Sequence, residues 1–200
     1  MPDLLVEIGT EEIPDWMIEP ALADWKTKFE ATFGAFGGSA IDLDATPRRL
    51  VLFVRDLAAQ APDTENVVLG PYLSAGTKAA EGFARKWNTP LEQLQKTEDA
   101  KGERYVFHQL TEGQSVRAAL EGKLAGVIAS IQFPKTMSWP GSAGVRFIRP
   151  IRWIVSLLDD EVLDFEVAGV KAGNTTRGHR VLGAREPVRV TISTYASVLE

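Results

Sequence analysis

Two hundred residues, 44% hydrophobic with a net charge of −5, suffice to bury a core and are too acidic for blanket binding to nucleic acid. The chain has no cysteine and two histidines, which excludes disulfides and thiolate sites and argues against a protein-only zinc site. No apolar run is long enough for a membrane helix, and the first residues lack the basic-then-apolar pattern of a signal peptide.

Residues 3–9 read as a short buried strand ended by Gly9. The run 10–14 turns into a helix with Pro14 or Pro20 in its first turn, where a missing N–H costs least. Ile18, Leu22, Trp25, Phe29, Phe33 and Phe36 recur at spacings of four and three, so one face of that helix is apolar, and Gly34 with Gly37-Gly38 stops it. Residues 40–44 and 50–57 read as two strands, with Pro47 breaking the pairing between them and leaving Arg48 and Arg49 at the corner. The small, polar, proline-containing run 58–64 is the expected boundary. It divides the chain into 1–60, a strand–helix–strand–strand lobe, and 61–200, a larger α+β lobe.

In the second lobe a strand at 66–69 is expected to end in a turn at Gly70-Pro71. A helix carrying Ala79, Ala80, Phe83, Ala84 and Trp87 follows, then a short one begun by Pro90. Lys101-Gly102 turns into a strand at 103–110. Val116, Leu120, Leu124, Val127 and Ile131 mark an amphipathic helix capped by Ser115. Residues 135–141 form a loop, and 151–170 read as a hairpin of two apolar strands turning at Asp159-Asp160. After a strand at 188–192, a helix capped by Ser193 has no terminator before Glu200, which marks the chain as a fragment cut in its last helix. The expected fold class is α+β: two lobes of mostly antiparallel sheet with packed amphipathic helices.

The flanks of the predicted hairpin carry the chemistry. Arg146, Arg149 and Arg152 precede it, and Lys171, Arg177, His179 and Arg180 follow it, so a hairpin would bring both clusters to one sheet edge. Arginine presents a planar fork of donors suited to phosphate. Together with Asn174, Thr175 and Thr176 the cluster reads as a surface for a polyanion or a partner, against the alternative of solvated rim charges. The residues singled out for RNA contact are Arg48, Arg49, Lys135, Trp139, Arg149, Arg152, Arg177, His179 and Arg180. Trp139 is the stacking candidate, being in a loop beside Lys135, whereas Trp25 belongs to the core stripe. His108, in a predicted strand, reads as a half-buried structural residue. Glu7, Glu11 and Glu12 offer an acidic catalytic cluster, against the preferred alternative that Glu11 and Glu12 favour the positive end of the following helix. Glycine-rich phosphate loops, His-Glu-x-x-His and Gly-x-Ser-x-Gly are all missing, so the residues name no self-contained active site.

These residues also carry a family resemblance. The opening run 4–14, Leu-Leu-Val-Glu-Ile-Gly-Thr-Glu-Glu-Ile-Pro, resembles the start of the β subunit of bacterial glycyl-tRNA synthetase. Blocks at 45–50, 78–83, 134–139, 147–153 and 176–180 (Thr-Arg-Gly-His-Arg) follow in the family's order. Ser138 departs from it, standing where the family commonly has arginine. The resemblance implies an N-terminal fragment of a longer subunit, without catalytic residues, cofactor or metal of its own. It implies a catalytic α subunit that uses ATP, magnesium and glycine, and a cytoplasmic heterotetramer away from membranes. The implied partners are that α subunit, tRNA(Gly) and the remainder of the β subunit. Three roles for the segment stay open: tRNA contact together with α docking, a purely structural interaction module, or an editing-like hydrolase lobe beside Thr175, Thr176 and His179.

Overall fold

A computed structural model describes residues 1–99, 102–179 and 186–199. The first half of the chain forms β1 (Leu4–Thr10), α1 (Asp15–Phe33), β2 (Ala40–Thr46), β3 (Arg49–Arg55), β4 (Thr64–Tyr72), α2 (Thr77–Lys86) and β5 (Gln95–Asp99). The second forms β6 (Gly102–Thr111), α3 (Val116–Ala129), β7 (Met137–Ser138), β8 (Arg146–Phe147), β9 (Ile151–Leu158) and β10 (Glu161–Val162). It ends with β11 (Glu166–Val167), β12 (Val170–Gly173), β13 (Thr175–Thr176), β14 (Val188–Arg189) and α4 (Tyr195–Leu199). The α+β class and the mostly antiparallel sheets are as expected.

The division of the chain is not. One unit comprises residues 1–61 together with 114–200, and the other comprises 62–113. The expected boundary near residue 60 is where the chain leaves the first unit, but 61–200 is not one lobe. The chain returns at residue 114 because α3 and β9 complete a sheet that β1, β2 and β3 leave unfinished. Local composition marks the exit, whereas the return is written in strand pairing across the insertion.

In the first unit β1 pairs antiparallel with both β3 and β9, and β3 pairs antiparallel with β2. With α1 and α3 as crossovers this is the split β-α-β arrangement, ferredoxin-like, in the order β9-β1-β3-β2. β1 is central, and all seven of its residues are buried. Alternation sends Leu4, Val6 and Ile8 with Leu50, Leu52 and Val54 to the face covered by α1 and α3. Leu5, Val51, Val155 and Leu157 take the other face, where Val190 packs on them.

Pro14 sits at the N-cap of α1, and Pro20 lies inside the helix rather than in its first turn. The hydrogen bond that Pro20 lacks would run to Trp16, at the exposed start of the helix, where the freed carbonyl lies on the solvent side. The buried line is Met17, Ala21, Trp25, Phe29 and Phe33, with Ile18 and Leu22 only half-buried beside it. Ser115 caps α3 as expected, accepting from the Ala118 N–H at 3.3 Å. The β2–β3 hairpin stays paired up to Thr46 opposite Arg49, so Pro47 forms the turn instead of interrupting the ladder. Its tip is held by the exit of β1: the Thr10 N–H donates to Arg48 O at 2.8 Å and the Ile13 N–H to Pro47 O at 2.6 Å.

The expected hairpin at 151–170 shrinks to a two-residue return, Glu161 and Val162 on β9. Leu163 and Phe165 turn into the core instead of continuing the strand, and β12 takes the free edge of β9 in parallel. The basic flanks are therefore not brought together by a hairpin; β13, paired with β14, returns the later one.

The second unit is a three-stranded antiparallel sheet, β4-β6-β5, with α2 packed on it. β4 runs through Gly70-Pro71 with a register irregularity between Leu69 and Tyr72, where the sequence predicts a turn. A Cβ on Gly70 would lie 2.7 Å from the Phe83 ring, so this glycine admits α2 against the strand. β5, which the sequence does not announce, is polar throughout and exposed. His108 is half-buried on β6, its Nδ1 2.6 Å from Glu65. Of the expected turn Lys101-Gly102, Lys101 lies outside the described residues.

Candidate functional site

The strongest polar constellation surrounds Glu7, on the central strand β1 and fully buried. An ionised carboxylate is tolerated in such a place only when donors saturate it. Thr176 Oγ1 on β13 lies 2.8 Å from both carboxylate oxygens, Trp153 Nε1 on β9 donates to Oε1, and Tyr195 Oη on α4 donates to Oε2. Arg49 Nη1, its side chain 11% exposed, stands 3.6 Å from Oε2. Arg49 also donates through Nη2 to Arg177 O at 2.6 Å. Burial first, and then the Glu7 charge and hydrogen bond, raise the Tyr195 phenol above its ordinary pKa of 10.0, with Arg49 opposing. Glu7 thus pins four later segments to the first strand. The sequence holds one sign of this, a single acid, Glu7, inside an apolar strand.

A second shared acid is Glu11. Arg152 Nε donates to its Oε1 at 2.8 Å, and Arg48 Nη2 stands 3.8 Å from its Oε2. Arg149 Nε donates to the Glu12 carbonyl at 2.8 Å, and Arg146 reaches Thr136 O at 3.2 Å. Arg48, Arg49, Arg149, Arg152 and Arg177 do gather, around the exit of β1. Arg49 turns both of its Nη groups onto the protein, Arg149 and Arg152 spend their Nε there, and the Arg152 side chain stays 54% exposed. The partly exposed pairs contribute little individually, on the order of 0.2–1 kcal/mol.

The other singled-out residues behave differently. The Arg177 guanidinium lies 5.9 Å from the Trp153 ring centroid, on an exposed residue. Lys135 is exposed, and Trp139 is anchored by donating Nε1 to Phe147 O at 3.2 Å. His179 is exposed and lines a cleft. Arg180 lies outside the described residues. For an editing-like site Thr176 is already committed to Glu7, whose two oxygens are both engaged. Among the described residues no group of His, Asp and Glu is placed to hold a metal ion, and no helix is long and apolar enough to cross a membrane.

The cleft, about 1090 Å³, lies on the sheet face away from α1 and α3. Its floor is Leu5, Val51, Phe53 and Trp153; Asp42 and Asp44 of β2 form one side, Tyr195, Ala196 and Leu199 of α4 the other, and Arg48 and Arg49 one end.

Residues 4–200 match the family model described as glycyl-tRNA synthetase beta subunit. A glycine–tRNA ligase beta subunit of Persephonella marina is 39% identical over 194 residues, covering 91% of this chain and 27% of that protein. The namesake from Desulforudis audaxviator is 39% identical over 208 residues, covering 99% and 30%. That of Bacillus subtilis is 36% identical over 195 residues, covering 90% and 28%. The chain therefore spans less than a third of the length of these relatives. With a family match that takes in nearly every residue, the chain belongs to the glycyl-tRNA synthetase β-subunit family.

Proposed function

We propose that this segment serves glycine–tRNA ligase as an assembly module of the β subunit, docking the catalytic α subunit rather than reading tRNA with its arginine edge. What carries the reading is the destination of the arginines: Arg48 and Arg152 converge on Glu11, and Arg49 on buried Glu7. A phosphate-binding fork needs its donors turned outward, and these hold β3 and β9 to the exit of β1. Under this reading ATP and magnesium chemistry belongs to the α subunit, tRNA(Gly) is met elsewhere in the ligase, and the complex works in the cytoplasm.

The test replaces Arg48 and Arg152 by glutamine in the full-length β subunit, assembled with α. The expected result is a lower Tm with the salt dependence of tRNA binding unchanged. An unchanged Tm with a salt slope shallower by roughly 0.7–0.9 per arginine would show phosphate contacts and overturn the assembly reading.

A further inference from the structure

We propose that the free edge of β4 receives an extended strand from the part of the β subunit outside residues 1–200, an inference independent of the assembly reading above. The sheet of the second unit has two edges of opposite character. β5, Gln-Lys-Thr-Glu-Asp, is exposed and charged, the usual protection of an edge against further pairing. β4 has no such protection. Residues 66–72, Asn-Val-Val-Leu-Gly-Pro-Tyr, carry no charge. Among the described residues the backbone of 66–69 pairs only with β6.

The side chains mark the same strand. Gly70 and Phe107 face α2: a Cβ on Gly70 would lie 2.7 Å from the Phe83 ring, and Phe107 stacks on Trp87 with ring centroids 5.3 Å apart. Alternation therefore turns Val67 and Leu69 to the opposite face, where Leu110, the register partner of Glu65, joins them. They are 54%, 55% and 67% exposed. Strand addition uses such an edge: backbone groups supply the hydrogen bonds, and alternate side chains supply the selectivity. The fitting strand is uncharged beside 66–69 and apolar where it meets Val67 and Leu69. Residues 64–72 hold no lysine or arginine, so a nucleic-acid backbone finds no cation of β4 along this edge. An apolar edge left open until a partner arrives invites aggregation, so its cover has to be permanent. A strand of the same polypeptide meets that need at high effective concentration. There is chain enough to supply it, since the matched region is only 27% and 30% of two of the relatives.

The experiment uses the full-length β subunit, first without α or tRNA. Residue-resolved hydrogen exchange is expected to show every amide of 66–69 slowed by about 100-fold or more, whereas an edge strand protects only alternate ones. A photo-crosslinking phenylalanine analogue at Leu69 is expected to join a residue outside 1–200 of the same copy. Mixing isotopically light and heavy β distinguishes that product from a link between copies. Val67→Lys with Leu69→Lys is expected to return the outward amides to fast exchange while those bonded to β6 stay protected. Protection of alternate amides only, or a crosslink to a second copy or to residues 1–200, would overturn the proposal. So would protection that arises only when α or tRNA is added.

Discussion

Trp153 occupies the space that a side chain at Gly9 would need: a Cβ there would lie 2.0 Å from Cε2 of the indole. That contact lays the indole over β1 and lets its Nε1 reach Glu7. Gly9→Ala must therefore push Trp153 aside, break its hydrogen bond and expose the apolar cluster beneath it. The expected loss is about 1–3 kcal/mol from overpacking, read by denaturant unfolding, with a red-shifted tryptophan emission.

Glu7→Gln removes the charge that faces Arg49 while keeping the shape. Breaking a buried pair from one side costs about 3–5 kcal/mol, because the remaining charge is left uncompensated. Adding Arg49→Gln is expected to recover part of that loss. A double-mutant cycle measures the coupling, and additive losses would show that the two side chains do not interact.

Tyr195 gives a signature in pH. Its folded pKa is raised above 10.0, so the folded state keeps the phenolic proton where the unfolded state gives it up. The stability tied to that proton is fully present below pH 10 and declines as pH rises above it. Tyr195→Phe, expected to cost on the order of 1.5–3 kcal/mol at neutral pH for a hydrogen bond to a charged group, flattens that alkaline decline. Urea midpoints from pH 8 to pH 11 for both proteins provide the check.

Trp16 and Trp25 stand on opposite sides of α1, 65% and 0% exposed. Trp25→Ala is expected to cost about 3–5 kcal/mol, and Trp16→Ala to leave Tm unchanged. Equal effects would mean that the helix is rotated from the arrangement described here.

The sequence by itself determined what is local. The four-and-three spacing marked α1 and α3, Ser115 marked a cap, the proline-containing run near residue 60 marked the exit from the first unit, and quoted blocks marked the family. Even there the phase was off by one position, Met17 and Ala21 facing the core where Ile18 and Leu22 were expected, because the packing partner of a helix sets which edge of a broad apolar stripe is buried. Only the tertiary structure decided the return of the chain at residue 114, the parallel place of β12 beside β9, and the direction of the arginines. The basic cluster was legible as residues; the acids that Arg48, Arg49 and Arg152 meet were not, because those contacts are made across the sheet. The hub at Glu7 shows why. Its donors Trp153, Thr176 and Tyr195 lie 146, 169 and 188 positions away along the chain. Spacing and propensity act over a few residues, and a buried carboxylate takes its partners from wherever the sheet brings donors within hydrogen-bond reach.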